Sequence, residues 1–268
     1  MLDLFNTPTP QGSNYQEFYG GGSTRDWVKP RGASMVRIML IGGGGGGGIG
    51  SASDGGGGGG SGAVTSWIGP TIFIPDVLRI TIGKAGTSGV DATASSVIYQ
   101  AKDTTGFTLL TADGGVSGTT AITAGTGAVA MTANQFTASG IFNSVAGQNG
   151  TAGSATAAGT NQAASGTTFL SGGAGGAGGA ANTGGSVAPN YGYTTLSTTA
   201  AGGLTAAKNG YFITQPILVG CGGAGGSTST VVGTAGGRGG IGCGGGGSGE
   251  DAITSAQGGD GAVFIWSW

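Results

Sequence analysis

SMVRIMLIGGGGGGG, residues 34–48, decides the fold of this chain, because an apolar segment runs directly into seven consecutive glycines. Apolar side chains fall on both faces of a strand over residues 34–41, interrupted only by Arg37, so we predict a β-strand that is covered on both sides. Each glycine costs roughly 0.5–1 kcal/mol more than alanine to order. The glycine run therefore stays disordered unless its backbone packs against other backbone.

Composition favours the ordered alternative. Glycine makes up 67 of 268 residues, and a second run occupies residues 55–60. Without a repeat, this much glycine is typical of low-complexity disorder. However, only 7% of the residues are charged and the mean hydropathy is +0.16, whereas disordered chains are rich in charge and poor in apolar residues. We therefore predict a folded protein.

A three-residue period marks the later glycine segments. Residues 172–180 read GGAGGAGGA, residues 236–244 read GGRGGIGCG, and residues 220–227 keep a similar spacing. This period matches the left-handed extended helix with three residues per turn, which makes no internal hydrogen bonds. Its backbone groups must bond to neighbours if they are buried. Because the triplets are brief and only 7 residues are proline, we predict glycine helices packed side by side rather than a collagen triple helix.

Strand-like segments lie towards both ends of the chain. Beyond residues 34–41 we predict strands at 63–68, 71–74, 77–82, 96–100, 107–111 and 261–268. In the last of these, Phe264, Trp266 and Trp268 fall on one face while Val263 and Ile265 fall on the other. Residues 116–170 and 182–210 are small and polar and do not look like strands, and no segment predicts an amphipathic helix. The fold class is all-β, with apolar strands that stabilise the glycine helices.

The residue types exclude most catalytic chemistry. The chain has no histidine, so it cannot build a Ser-His-Asp triad or a histidine metal site. Glu250 and Asp251 are adjacent and predict a solvated loop, and Gly83-Lys84 lacks the spacing of a phosphate-binding loop. We predict no enzyme, no cofactor and no metal.

Charge and hydropathy argue against two classes of partner. The net charge is −2, and the one loose basic cluster (Arg25, Lys29, Arg31 and Arg37) is weak for nucleic-acid binding. No apolar stretch of about 20 residues is present to span a bilayer. We predict neither nucleic-acid binding nor membrane insertion.

Two cysteines, Cys221 and Cys243, occupy similar glycine-rich settings. Two cysteines are too few for a disulfide scaffold. Either they pack as small apolar residues on neighbouring segments, or they form one bridge in an oxidising compartment.

Several segments in order resemble a known family. WVKPRGA at 27–33 leads into VRIMLI at 36–41 and the first glycine run; ITIGKAG follows at 80–86, and GGDGAVFIW at 258–266. This order resembles the glycine-rich domains of tailed-bacteriophage virion proteins, especially tail-fibre tips and adhesins. The resemblance implies a small β-sandwich-like base of N- and C-terminal strands, joined to a bundle of polyglycine II helices that are connected by long loops.

The expected domain boundaries combine composition and resemblance. Residues 1–23 are polar and irregular, which predicts an N-terminal attachment arm, and the resemblance covers residues 24–268 as the glycine-rich virion domain. Within that domain, about 24–115 and 260–268 are rich in strands, and about 42–62 and 116–259 hold the polyglycine II bundle and its loops.

A role at the virion surface follows from the resemblance as an expectation. The protein is made in the host cytoplasm, attaches to other virion proteins through its arm, and binds a host surface receptor, either protein or glycan. The oligomeric state is open, a homotrimer included. Aromatic and amide side chains in the loops are the expected receptor contacts; these are Phe136, Phe142, Asn143, Gln148, Tyr191 and Tyr193.

Three alternatives stay open at this point. The aromatic residues could instead fix their own loops. The protein could be a capsid decoration or head-fibre protein whose task is assembly and stability. A weaker third reading is an ice-binding glycine-helix protein, which would need a flat, regular face.

Overall fold

The computed structural model describes residues 14–99, 106–119, 122–178, 183–188, 207–213, 218–228, 233–252 and 254–268. Over these ranges the fold is all-β, as predicted, with strands in antiparallel sheets and two short 3-10 helices at Thr71–Phe73 and Thr137–Ser139. Within the same ranges, no helix has the length and apolar character needed to cross a membrane.

The larger sheet contains five strands: β1 (Asn14–Phe18), β3 (Met35–Ile41), β4 (Val64–Pro70), β8 (Ile141–Val145) and β11 (Ala262–Ser267). Their order across the sheet is β1-β11-β3-β4-β8, and every neighbouring pair is antiparallel. β1 lies within the segment that the sequence analysis treats as an arm. It joins the sheet through its pairing with β11.

Strand β8 corrects the prediction that the middle of the chain lacks strands. It pairs with β4, and Phe142 stands directly opposite Trp67. The segment becomes a strand because it covers the open edge of β4 and buries part of its phenylalanine. Its short sequence is surrounded by small and polar residues and gave little sign of this.

The smaller sheet contains β2 (Thr24–Val28), β5 (Val77–Thr81), β6 (Ser95–Tyr99) and β7 (Phe107–Ala112), in the order β2-β5-β6-β7. The strand predicted at 71–74 is wrong, because Thr71–Phe73 is a 3-10 helix. The Ile74 N–H closes this turn onto the Thr71 carbonyl, and the Thr71 hydroxyl donates to the Ala33 carbonyl. Elsewhere, β9 (Phe212–Ile213) and β10 (Val219–Gly220) form a two-stranded pair.

The main hydrophobic core lies between the two larger sheets. The five-stranded sheet contributes buried side chains from β3, β4 and β11, and the four-stranded sheet contributes them from all four of its strands. Trp27 and Trp67 are the largest side chains in this core, and both are almost completely buried. Val263 and Ile265 point into it, as predicted from their alternation with Phe264 and Trp266.

A second core covers the opposite face of the five-stranded sheet. Met39, Ile41 and Phe264 pack there against Leu170 and Cys243, which come from the glycine-rich part of the chain. The prediction that residues 34–41 form a strand covered on both sides is confirmed, and Arg37 is exposed. The two cores make the five-stranded sheet the middle layer of the molecule.

Glycine segments continue the strands, and they all do so at one end of the sandwich. Ile41 is the last residue of β3 and is in register with Val64, the first residue of β4, and with Ala262, the first of β11. Val64 is in turn in register with Val145 at the end of β8. We call this the glycine end. The opposite end, which carries Asn14, Val28, Pro70, Val77 and Ser267, is the base end.

Hydrogen bonds between the glycine segments repeat every three residues. In segment 55–62, successive residues bond to different neighbouring segments. Gly55, Gly58 and Ser61 donate in turn to Ser154, Thr151 and Gln148, while Gly56, Gly59 and Gly62 donate to Ser248, Gly245 and Gly242, all at 2.8–2.9 Å. A third neighbour is the first glycine run, where Gly45 and Gly48 donate to Gly60 and Gly57. The buried backbone groups are thus satisfied by lateral bonds.

Close backbone contact explains why glycine is required here. A Cβ atom placed on Gly47 would overlap the carbonyl oxygen of Gly246, and one on Gly58 would overlap that of Gly173. By contrast, an added Cβ on Gly166 meets no atom within 4 Å. The interior of this region is therefore built from main chain, and side chains are accommodated mainly at its margins.

Candidate functional site

The glycine segments end in a group of turns at the far side of the glycine end. We define these distal turns as residues 51–54, 122–123, 154–158 and 250–252. Lateral bonds hold them together: the Asp251 N–H donates to the Ser51 carbonyl at 3.0 Å, and the Gly55 N–H donates to the Ser154 carbonyl at 2.8 Å. The Gly153 N–H donates to the Ile122 carbonyl at 2.9 Å. The turns are therefore presented together from a bonded scaffold.

The distal turns have a small, polar and acidic surface. Asp54, Glu250 and Asp251 are their charged residues, and these described turns carry no lysine or arginine. The Ser51 hydroxyl donates to the Asp54 carboxylate at 3.2 Å, which closes the first turn. Ile122 adds one exposed apolar side chain. Throughout the described ranges, no three His, Cys, Asp or Glu residues are close enough together to hold a metal ion.

The sequence analysis did not single out these turns. Their signal was the Ser51-Ala52-Ser53-Asp54 segment, which separates two glycine runs and therefore has to reverse the chain. Serine and aspartate favour turns because their side chains bond to nearby backbone. The aromatic residues that the sequence offered as receptor contacts lie elsewhere in the chain.

The two predicted phenylalanines lie away from the distal turns. The ring of Phe136 packs against Trp67 with centroids 4.6 Å apart, and Phe142 stands opposite Trp67 in β8. Both are partly buried against the main core. These positions match the alternative in which the two rings stabilise their own loops. Their role in receptor binding stays a prediction.

The amide residues are also separated from one another. Asn143 is exposed on β8 opposite Ser66. The Gln148 amide nitrogen donates to the Ala163 carbonyl at 2.9 Å, and its backbone N–H donates to the Ser61 hydroxyl. Tyr191 and Tyr193 lie outside the described residues. The structure thus does not bring the four described candidates, Phe136, Phe142, Asn143 and Gln148, into one site.

Cys221 and Cys243 are free and fully buried. Burial raises the pKa of the Cys221 thiol to about 12, although a hydrogen bond with Ser171 opposes the shift. Burial also raises the pKa of the Cys243 thiol, and the neighbouring Cys221 adds to the effect. Of the two alternatives, the described arrangement is the one in which both pack as small apolar residues.

A row of side chains crosses the outer face of the five-stranded sheet near its base end. Tyr15, Trp266, Arg37, Ile68 and Ile141 are in register on five successive strands. Tyr15 stacks on Trp266 at 5.0 Å, and the Arg37 guanidinium lies 5.0 Å from the Trp266 ring centroid. The Trp266 ring thus contacts both the Tyr15 ring and the Arg37 guanidinium, and these contacts stabilise this part of the sheet surface.

Glu17 links two tyrosines beside this row. Its carboxylate accepts hydrogen bonds from the hydroxyls of Tyr15 and Tyr19. Partial burial is the main cause that raises the pKa of Tyr19 to about 12, and the hydrogen bond to Glu17 adds to it. The same two causes raise the pKa of Tyr15. Both tyrosines therefore remain protonated donors well above neutral pH.

Comparison with known proteins identifies the family of this chain. A family model described as a glycine-rich domain matches residues 16–267. No protein with a curated description matches the chain. The family match covers nearly all of the sandwich and of the glycine segments, including most of β1.

Proposed function

Because the chain belongs to the glycine-rich domain family, we propose that it is a non-enzymatic surface protein of a tailed-bacteriophage virion. Its role is that of a tail-fibre adhesin, which contacts the host cell through loops carried on the glycine scaffold. The order of strands and glycine runs that resembles phage virion proteins supports this proposal. The runner-up is a capsid decoration or head-fibre protein.

The scaffold in this proposal is a bundle of polyglycine II helices. The three-residue repeat of the lateral bonds supports it, because a helix with three residues per turn directs successive N–H groups towards three different neighbours. The N–H groups of segment 55–62 donate to segments 148–154 and 242–248 and to Val116, and its carbonyls accept bonds from segment 42–48. The backbones also approach closely enough to exclude a Cβ atom at many positions.

One observation carries the adhesin proposal. Backbone hydrogen bonds hold the distal turns: Asp251 donates to Ser51, and Ile122 and Ser154 accept bonds from Gly153 and Gly55, which flank neighbouring turns. Such turns lose little further conformational entropy on binding, and ordering costs are a major part of the cost of association. Their weakly acidic surface favours a receptor that offers hydrogen-bond donors or basic groups.

The two ends of the molecule have different partners in this proposal. The N-terminal arm, residues 1–23, attaches the protein to other virion proteins. A host surface protein or glycan is the receptor at the opposite end. The protein acts at the virion surface after synthesis in the host cytoplasm, without a cofactor, and without binding nucleic acid or entering a membrane.

Cell labelling tests the proposal. Fluorescent wild-type protein is expected to label host cells, and the Asp54→Lys/Ile122→Asp variant, altered in the distal turns, is expected to lose most labelling. The matched control is Val77→Asp at the base end, which should label like wild type. Both variants must keep the wild-type circular dichroism spectrum.

Two other results would contradict the adhesin role. Equal loss of labelling in the distal and base variants would mean that the distal turns are not the contact. Binding to phage particles without any labelling of cells would support the decoration protein instead.

A further inference from the structure

The edge strands of the two larger sheets differ in how they are covered. Beside β7, the Asn134 side chain donates to the Leu109 carbonyl at 3.1 Å, and the Thr111 N–H approaches the Met131 sulfur at 3.3 Å. By contrast, β1 is the last strand of the five-stranded sheet. Among the described residues, only those of β11 bond to the backbone of β1. Its other edge is therefore open within the described part of the chain.

The register of the sheet shows which backbone groups of β1 face outward. Met35 and Trp268 exchange both of their backbone hydrogen bonds, at 2.9 and 3.0 Å. Bonded and non-bonded pairs alternate along an antiparallel ladder, so the next residue, Ser267, directs its backbone groups to β1 instead of β3. By the same alternation, the N–H and C=O groups of Tyr15 and Glu17 face away from β11. The open edge thus offers two donors and two acceptors.

Strand β1 lacks the features that protect an exposed sheet edge from pairing. Protected edges commonly carry lysine, proline or a bulge, whereas β1 reads NYQEF, has Glu17 as its one charged residue and keeps an unbroken register. The edge strand of the smaller sheet, β2, is different. Its Arg25 and Asp26 are both charged, and Asp26 pairs with Arg79 at 3.3 Å. The edge of β1 is therefore a template for another strand.

The sequence of β1 fits a second copy of itself in a register centred on Gln16. In an antiparallel pair with this centre, Tyr15 of each copy lies opposite Glu17 of the other, so only outward-facing groups meet and four backbone bonds form. Tyr15 and Glu17 are complementary, since the tyrosine hydroxyl already donates to this carboxylate within one strand. A register centred on Glu17 would instead place two carboxylates directly opposite each other, which destabilises a strand pair.

We propose that β1 pairs with β1 of a second copy of this chain, so that two five-stranded sheets join into one ten-stranded sheet. A twofold contact of this kind uses the same surface on both copies. The strand is short, so the association is weak and reversible. The inference does not depend on the proposed role at the virion surface. Antiparallel pairing directs the two glycine ends in opposite directions, so only one copy of a pair presents its distal turns to a given surface.

Cysteine cross-linking of the full chain tests the register. Gln16 of the two copies would form a non-bonded pair with Cα atoms about 4.5 Å apart, which is within the range of a disulfide. Asn14 lies on the same face of β1, but the two copies of Asn14 would be about 14 Å apart. With diamide as oxidant, we expect Gln16→Cys to form a covalent dimer about tenfold faster than Asn14→Cys, at a rate that rises with protein concentration.

Two results of this comparison would overturn the proposal. Equal rates for Gln16→Cys and Asn14→Cys would show that the dimers arise from random collision. A failure of Gln16→Cys to form a dimer in concentrated protein would show that the edges do not meet. The native Cys221 and Cys243 are buried, so wild-type protein, which should stay monomeric with diamide, is the control for the added thiol.

A proline variant tests whether the backbone makes the contact. Glu17→Pro removes an N–H group that faces outward, so it removes no bond to β11, and it should lower the cross-linking rate of Gln16→Cys about tenfold. The matched control is Glu17→Ala, which keeps the N–H group and should retain most of the rate. An undiminished rate in the Glu17→Pro variant, with a wild-type circular dichroism spectrum, would overturn strand pairing.

Hydrogen exchange separates a second copy from a different partner. We expect exchange of the Tyr15 and Glu17 amides to slow as the protein is concentrated. Slowing by phage particles but not by concentrated protein would show that a strand of another virion protein occupies this edge, and would overturn pairing between copies.

Discussion

Gly45 donates its N–H to the carbonyl of Gly60 at 2.8 Å, and the Gly60 N–H donates in turn to the carbonyl of Val116 at 2.9 Å. A Cβ atom placed on Gly45 would overlap that same Val116 carbonyl oxygen. Three chain segments therefore meet here through their main chains alone. This contact makes the absence of a side chain at Gly45 a condition of the fold.

Replacing Gly45 by alanine should destabilise the protein. We expect the free energy of unfolding of Gly45→Ala to fall by about 1–3 kcal/mol, the usual cost of overpacking, in a denaturant titration. The matched control is Gly166→Ala, where the added methyl meets no neighbour, with a change within about 0.5 kcal/mol. Equal stability of the two variants would contradict the backbone packing described here.

Phe136 should contribute to stability through Trp67. Truncation by Phe136→Ala removes a half-buried ring and should lower the free energy of unfolding by about 2 kcal/mol, below the 3–5 kcal/mol typical of a fully buried phenylalanine. Asn143→Ala changes an exposed residue on the neighbouring strand and should have an effect within about 0.5 kcal/mol. Thermal or denaturant unfolding of both variants measures the two changes in stability. If the free energy of unfolding of Phe136→Ala equals that of wild type, this ring does not stabilise the fold.

The two thiols should be inert in the folded protein. Cys221 and Cys243 are buried, and a raised pKa keeps them protonated, whereas the thiolate is the reactive form. We expect negligible reaction with an aromatic disulfide reagent at pH 8 and the release of two equivalents after unfolding in denaturant. Rapid reaction before unfolding would show that this part of the interior opens readily.

Alkaline pH should destabilise the protein partly through Tyr19. The ordinary tyrosine pKa is about 10, and in the folded protein that of Tyr19 is about 12. The folded state therefore holds this proton more tightly, so the stabilisation is complete below pH 10 and is lost as the pH rises through 12.

The Tyr19→Phe variant measures this contribution. The fall in the free energy of unfolding between pH 9.5 and 11.5 should be smaller in Tyr19→Phe than in wild type, since phenylalanine does not titrate. The buried thiols titrate in both proteins and cancel in the comparison. Identical falls would show that Tyr19 ionises as freely in the folded state as in the unfolded one.

Strands with strong apolar patterns were predictable from the sequence. β3 is apolar at every position except Arg37, and its burial on both faces follows from this pattern. β8 was not predictable, because its burial depends on Trp67, which lies far away in the sequence. The same distance explains why Phe136 and Phe142 resembled loop contacts: nothing near them in the chain indicates that a tryptophan ring occupies one side.

The partners of the glycines could not be read from the sequence for a different reason. Every residue in the run 42–48 is identical, so a shift of register by one position leaves the local sequence unchanged. The pairing of Gly45 with Gly60 is instead fixed by the strands on either side, because Ile41 and Val64 are already in register. A period of three predicts lateral bonding but does not identify the neighbour.

The continuity between strands and glycine segments determines how the molecule responds to mechanical force. A pull on the distal turns travels along the main chain of the glycine segments that adjoin β3, β4, β8 and β11 directly into those strands. The cross-links between segments run across this direction, so they are loaded in shear and must yield together rather than one after another. These bonded segments therefore resist a pull along the strand direction better than they would resist peeling of a single edge segment.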